Sequence, residues 1–178
     1  MNFWQRFTGH LTTVIRHKHH VFINCRKAGI FWQGVKHDMS KFSPVEFSAG
    51  VKYFVGTKSP NEGEREKYGY SLAWMHHKGR NMHHYEYWTD FDKVTKDVVP
   101  VKMPVRYVKE MFCDRVAACK VYLKKDYKDS SALEYYNRKK DHREMHPDTA
   151  ALLTRLLTML AEEGEEKTFA FIRNLKTY

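Results

Sequence analysis

His37-Asp38, with Lys41 three residues on, puts an imidazole, a carboxylate and an ammonium group within a few residues of one another. His17 lies upstream in the basic run Arg16-His17-Lys18-His19-His20-Val21. His76, His77, His83 and His84 lie downstream, and Asp114 closes the segment Glu110-Met111-Phe112-Cys113-Asp114. Eight of the eleven histidines fall in these three short groups, which is a donor supply rather than a scatter of surface rings. Imidazole and carboxylate ligands together suit Mn, Fe, Co, Ni or Zn, whereas Ca prefers oxygen alone. Adjacent His37 and Asp38 can serve one divalent transition metal or two neighbouring ions. A ligating histidine usually donates its other ring N–H to a carboxylate or carbonyl, a role open to Glu110 or Glu86.

Helices are the elements that must position these groups. Apolar residues Phe7, Leu11, Val14, Ile15, Val21, Phe22 and Cys25 recur at helical spacing, predicting a helix over 3–33 that is broken or closed near Gly29. Ser43 reads as an N-cap, with Pro44 in the first turn and Glu46 at the capping-box position. Residues 56–69 read as a polar surface loop of the kind that forms a lid or binding loop, and specificity is expected from 56–71. A helix predicted over 72–87 would place His77, Asn81 and His84 on one face at i, i+4 and i+7, and His76 with His83 at i, i+7. Further helices are predicted over 104–123, which sets Glu110 and Asp114 at i, i+4, then over 131–144, 148–163 and 167–175. Leu152, Leu153, Leu156, Leu157 and Leu160 form a stripe, and Gly164 reads as a C-cap. Val98-Val99-Pro100-Val101 is the one β-like run, weakened by its proline. The expectation is an all-α, compact single-domain helical bundle over 1–178, with its core at about 10–160 and a C-terminal helix over 165–178.

The remaining residues read more plainly. His10, His19 and His142 are expected at the surface, and His146 before Pro147 as a cap or packing residue. Trp4, Trp32, Trp74 and Trp88 are expected in core and interface. Cys25, Cys113 and Cys119 are odd in number and lack CxxC spacing, so reduced thiols are expected.

Composition narrows the partners. The 178 residues are 42% hydrophobic and carry a formal charge of +10. Residues 1–60 hold nine Lys/Arg against two Asp/Glu, and residues 101–144 hold twelve against seven. A basic surface of this kind attracts phosphate-bearing partners, whether a nucleotide or other small phosphate compound, or nucleic acid. No DNA-reading motif is visible. No apolar run approaches bilayer length and the N-terminus lacks signal-peptide features, so no membrane partner and a cytoplasmic location are expected.

The order His … His-Asp … His … His … Asp on helices resembles the HD-domain superfamily of metal-dependent phosphohydrolases. His17 with Val21 resembles the first-helix histidine and the apolar residue four on, and His37-Asp38-Met39-Ser40-Lys41 resembles the HDxxK form of the central motif. More narrowly, the chain resembles a family of phage and bacterial proteins known only as a domain of unknown function, which would imply a host cytoplasm if the chain is phage-encoded. That resemblance rests on His37-Asp38-Met39-Ser40-Lys41-Phe42-Ser43-Pro44-Val45-Glu46-Phe47, on Ala73-Trp74-Met75-His76-His77 with 81–88, on Met103-Pro104 with Glu110, Met111 and Asp114, and on 137–149. It covers about 10–160 and implies no reaction.

The wider resemblance implies a phosphohydrolase acting on a nucleotide or related phosphate ester. It implies that His17, His37, Asp38 and Asp114 hold a first metal, and that His77 with His83 or His84 holds a second or binds phosphate. Lys41 and Arg80 would neutralise phosphoryl charge, Asn81 would orient a water or phosphate oxygen, and Glu110 would support a ligand or act as general base. His17 and the His-Asp pair lie closer together than in many HD enzymes, and the extra His83-His84 pair favours two metals. Two other classes stay open: a di-iron HD-like oxygenase, and a non-catalytic nucleic-acid-binding or host-interaction protein with a structural metal.

Overall fold

The computed structural model describes residues 1–138 and 144–178. Its first helix, α1 (Phe3–Lys27), starts in a capping box: Asn2 Oδ1 accepts from the Gln5 amide at 2.9 Å, and Gln5 Oε1 accepts from the Asn2 amide at 3.0 Å. It closes at Ala28 ahead of Gly29, whose φ of +76° reverses the chain into α2 (Phe31–Lys36). A side chain at Gly34 would place its Cβ 2.7 Å from the Cys25 Cβ, so glycine is what lets α2 fold back onto α1. A 3₁₀ turn (Met39–Phe42) leads into α3 (Pro44–Lys52), where Ser43 Oγ accepts from the Glu46 amide at 3.4 Å and Pro44 occupies the first turn, as the sequence predicts.

Two expectations are corrected next. The expected loop at 56–69 contains a helix, α4 (Pro60–Tyr68), which begins on a proline and ends at Gly69 with φ +79°. It lacks an apolar stripe because its inward group is polar: buried Glu64 accepts from Ser71 Oγ at 2.6 Å and from the Ala73 amide at 3.2 Å. The helix expected over 72–87 stops early. α5 (Leu72–Lys78) ends at Gly79, and His83 and His84 follow in a turn before a 3₁₀ segment at Tyr85–Tyr87.

A short hairpin follows, β1 (Thr89–Phe91) antiparallel to β2 (Val98–Pro100) with Thr89 opposite Pro100. Then come α6 (Val105–Leu123), α7 (Ser131–Asn137) and α8 (Pro147–Asn174). The end of the helix expected over 131–144, with His142, lies outside the described residues. Gly164 (φ 78°, ψ 174°) breaks α8 into the two helical runs the leucine stripe and its glycine imply.

The fold is all-α apart from the hairpin. α1, α6 and α8 enclose the core: Val21, Cys25, Phe112, Val116, Leu153, Leu156, Leu157, Leu160 and Ile172 are all fully buried. Each such side chain contributes about 1.5–3 kcal/mol on burial, so these three helices form the frame to which the shorter elements are attached. The three cysteines are free and buried. Trp74 and Trp88 are half-buried, with Trp88 Nε1 donating to the Met82 carbonyl at 2.7 Å. Trp4 and Trp32, expected in core or interface, are 69% and 72% exposed, because α1 and α2 present them outward at helix starts. His146 caps α8 through Nδ1, which accepts from the Asp148 amide at 3.2 Å. His10, expected at the surface, is buried beneath Gly50, and His19 is exposed. No helix among the described residues is long and apolar enough to cross a membrane.

Candidate metal centre

The framework helices and their connections meet at Asp38. α1 supplies His17, the end of α2 supplies His37, and Asp38 itself has left-handed backbone (φ 51°, ψ 30°). Aspartate is among the few non-glycine residues that tolerate this conformation, which still costs about 1–3 kcal/mol and is concentrated at functional positions. The strain turns the carboxylate into the protein: Asp38 is 1% exposed.

Around it the ring nitrogens converge. From Asp38 Oδ2, His37 Nε2 is at 3.2 Å and His17 Nε2 at 3.7 Å; from Oδ1, His77 Nε2 and His83 Nε2 are each at 3.4 Å. Asp114 Oδ1, on α6, stands 3.0 Å from His17 Nε2 and 3.5 Å from His37 Nε2. Three sets have donor atoms within 4.8 Å of one another: His37, His83 and Glu110, which are the contacts of the Glu110 carboxylate, and two larger ones, His17, His37, Asp38 and Asp114, and Asp38, His77, His83 and His84. Asp38 belongs to both of the larger sets.

Which nitrogens are satisfied identifies the chemistry. His37 Nδ1 pairs with Glu110 Oε1 at 2.9 Å, and His83 Nδ1 is 3.3 Å from the same oxygen. His77 Nδ1 pairs with Glu46 Oε2 at 2.8 Å. The opposite nitrogens, Nε2 of His17, His37, His83 and His84, are sealed from solvent without a hydrogen-bond partner, as are both Asp38 oxygens. Lys41 Nζ forms an ion pair with Asp38 Oδ2 at 2.8 Å. His37 and His83, each with Nδ1 against a carboxylate and Nε2 turned to an unsatisfied buried focus, have the arrangement of metal ligands. The donor set fits divalent transition metal.

The electrostatics of the carboxylates agree. Burial alone would raise the carboxyl of Asp38, but His37, Lys41 and His77 beside it and the contact with His17 hold it well below the usual range. Burial likewise opposes, and bonds to His17 and His37 outweigh it, in keeping Asp114 ionised. Glu110 is depressed to about 2 against its burial by His37 and His83. Burial opposes a charge on His37, yet Asp38, Asp114 and Glu110 hold its pKa well above the ordinary value. His84 is driven far the other way by burial and by His83 and His77. The centre therefore holds its carboxylates in the ionised form that ligation requires.

The supporting residues differ from the sequence reading. Glu46, expected to complete a capping box, spends its carboxylate on two histidines, with Oε1 on His76 Nδ1 at 2.6 Å and Oε2 on His77. Its α-helical position was legible, but its partners, thirty residues on, were not. Gln33 and Ser40 carried no signal: Gln33 Nε2 donates to Glu110 Oε2 at 2.7 Å, and Ser40 Oγ lies 3.3 Å from His77 Nδ1. Asn81 Nδ2 donates to Ser40 Oγ and to the His77 carbonyl, each at 2.8 Å, so it braces a ligand. Glu86 has a buried Oε2 without a partner and supports none of the rings. Arg80 is exposed, its nearest polar contact being the His76 carbonyl at 3.5 Å.

A cleft of about 300 Å³ opens over the centre, with Lys41, Phe54, Asn61, Trp74, Tyr122 and Tyr135 among its walls. The N-terminal turn of α4 thus forms part of the opening, so the segment expected to act as a loop lines the site as a helix.

A family model described as a family of unknown function (DUF5662) matches residues 6–159, a span that contains every residue of both ligand sets. No curated protein and no solved structure matches the chain.

Proposed function

The chain belongs to the DUF5662 family, and we propose that it is a metal-dependent phosphohydrolase with two divalent transition metals sharing Asp38. The observation that carries the reading is the pair of ligand sets meeting at one strained, buried carboxylate, with four buried imidazole Nε2 atoms turned toward the carboxylates without a hydrogen bond. His17, His37 and Asp114 complete one set, and His77, His83 and His84 the other. Mn, Fe, Co, Ni and Zn all suit these donors. Such ions supply Lewis-acid charge and lower the pKa of water to near neutrality.

The chain's own groups do the rest. Lys41, at the floor of the cleft with its side chain 30% exposed, offers an ammonium to the oxygens of a bound phosphoryl group. Glu110 has both oxygens engaged by His37, His83 and Gln33, which suits it to positioning the rings and not to removing a proton. Asn81 and Ser40 hold His77 in the same sense. Arg80 would reach a substrate only at the outer edge. The size of the cleft fits a nucleotide or another small phosphate ester, consistent with the chain's basic balance.

Protein purified without added metal should contain transition metal by elemental analysis. The loaded protein should release phosphate or nucleoside from a panel of nucleotides, and Asp38→Ala should lose metal and turnover together. Full activity in Asp38→Ala, or wild-type protein that neither retains nor takes up metal, sinks the reading. A di-iron oxygenase is the second reading, favoured by the five imidazoles of the two sets. Visible absorbance on adding Fe(II) and oxygen, without phosphate release, decides for it.

A further inference from the structure

Away from the metal centre, the first turns of α1 and the length of α3 bound a second cavity of about 740 Å³. Its walls are almost wholly apolar: Phe3, Phe7, Phe42, Phe47 and Val51 line it, with Phe7 and Phe47 edge to face at 5.5 Å between centroids. Phe3 and Phe42 are 60% and 42% exposed at its mouth, so apolar surface stands open to water there. Two cations, Arg6 and Lys52, also line it, and no acidic residue among the described residues does. Arg6 is held in place by Nη1, which donates to the Lys52 carbonyl at 2.9 Å, while its Nε is sealed from solvent with no hydrogen-bond partner. Neither cation is in an ion pair with any described carboxylate, and the Lys52 ammonium lies 5.3 Å from the Tyr53 ring centre.

We propose that this groove binds a small amphipathic anion, an unbranched apolar chain carrying a carboxylate head. The chain would lie along Phe3, Phe7, Phe42 and Phe47, and the head would meet Arg6 and Lys52. Charge complementarity selects this occupant: an apolar trough with an unpaired guanidinium at its edge rewards an anion-headed chain over a neutral or cationic one. Phe42 follows Lys41 and Phe47 follows Glu46, so an occupant would press on the neighbours of two residues of the metal centre without touching them. The inference rests on the groove alone and stands or falls independently of the hydrolase reading.

The test is calorimetric titration of the full chain with octanoate, decanoate and dodecanoate below their aggregation limits, beside decanol and decyltrimethylammonium. Affinity should rise by about fourfold per methylene while the chain remains inside the groove. Decanoate should bind more tightly than the alcohol or the cation, and Arg6→Gln should weaken decanoate by roughly tenfold while leaving decanol unchanged. Lys52→Gln should act in the same direction and serves if Arg6→Gln fails to fold by circular dichroism. Equal binding of all three head groups overturns the proposal, as does affinity independent of chain length. So does sedimentation showing a dimer that Phe42→Ser dissociates, which would make a second copy the occupant.

Discussion

The carboxylates behind the histidines sort the two ligand sets, and this makes a sharp prediction. Glu110 Oε1 faces His37 in one set and His83 in the other, at 2.9 and 3.3 Å. Glu46 faces only His77 among the ligands, at 2.8 Å, its other oxygen being on His76. Replacing an outer carboxylate of this kind typically costs roughly 10–100-fold in metal affinity. That is about 1.4–2.7 kcal/mol at each ion affected. Glu110→Gln, which keeps the shape and removes the charge, should therefore weaken both ions. Glu46→Gln should weaken one and leave the other unchanged. In the double variant the shared ion should suffer both losses nearly in full, because the two carboxylates act on different imidazoles. Competition against a chromophoric chelator at one fixed pH resolves the two affinities. Thermal melting of the metal-free variants shows whether the fold itself has changed. Equal weakening of both ions in Glu46→Gln, or no weakening in Glu110→Gln, would refute the assignment of these carboxylates to these rings.

Other perturbations have equally specific outcomes. Removing metal with a strong chelator should lower the melting temperature by roughly 5–10 °C relative to protein with metal at a hundredfold excess over Kd, since that excess is worth about 2.7 kcal/mol; identical melts with and without chelator would mean that no ion is held. His10 has its pKa lowered to about 4, first by burial and then by Lys41, so its neutral form supports the fold fully above about pH 6.5 and that support is lost as pH falls toward 4. Allowing for screening at the cleft edge, denaturant titrations should show wild type losing about 2 kcal/mol more than His10→Leu between pH 7 and 4, and parallel curves would contradict this. Gly50→Ala would bring a Cβ to within 2.1 Å of His10 Nε2, which should cost about 1–3 kcal/mol by chemical denaturation. The cost should vanish in a His10→Ala background.

What the sequence disclosed follows the range over which each signal acts. Ser43-Pro44 and the leucines of α8 were legible because capping and helical periodicity are local. Glu110 and Asp114 were legible as a pair because α6 is regular through both. α4 was not, because its sequence is charged throughout and its one buried side chain, Glu64, is satisfied by Ser71 and Ala73 on another segment. The sequence placed His77, Asn81 and His84 on one face of a helix and His76 with His83, and that helix does not extend so far. The helix ends at Gly79, and the following turn brings His83 and His84 inward, braced by Asn81 on the His77 carbonyl. Glu46 shows the limit most clearly: a glutamate three residues after a serine has a sufficient local explanation, and only the folded chain brings it to His76 and His77.

The energetic character of the centre argues against a purely structural role for these residues. A buried polar atom without a hydrogen bond costs about 1–3 kcal/mol. Nε2 of His37, His83 and His84 and Oδ1 of Asp38 are in that condition, while Asp38 Oδ2 is paired with Lys41 and His17 Nε2 with Asp114, and Asp38 adds a strained backbone. An apolar filling of the same volume would stabilise the fold better, since a partly satisfied polar network is worse than none. The outer nitrogens tell the opposite story: His37, His77 and His83 each have a carboxylate within 3.3 Å. A cluster satisfied on its outer side and unsatisfied on its inner side is organised around something at its middle. The ionised carboxylates and the shared Asp38 suit positive charge at that focus, and this is the feature on which the proposed metal-dependent reading rests.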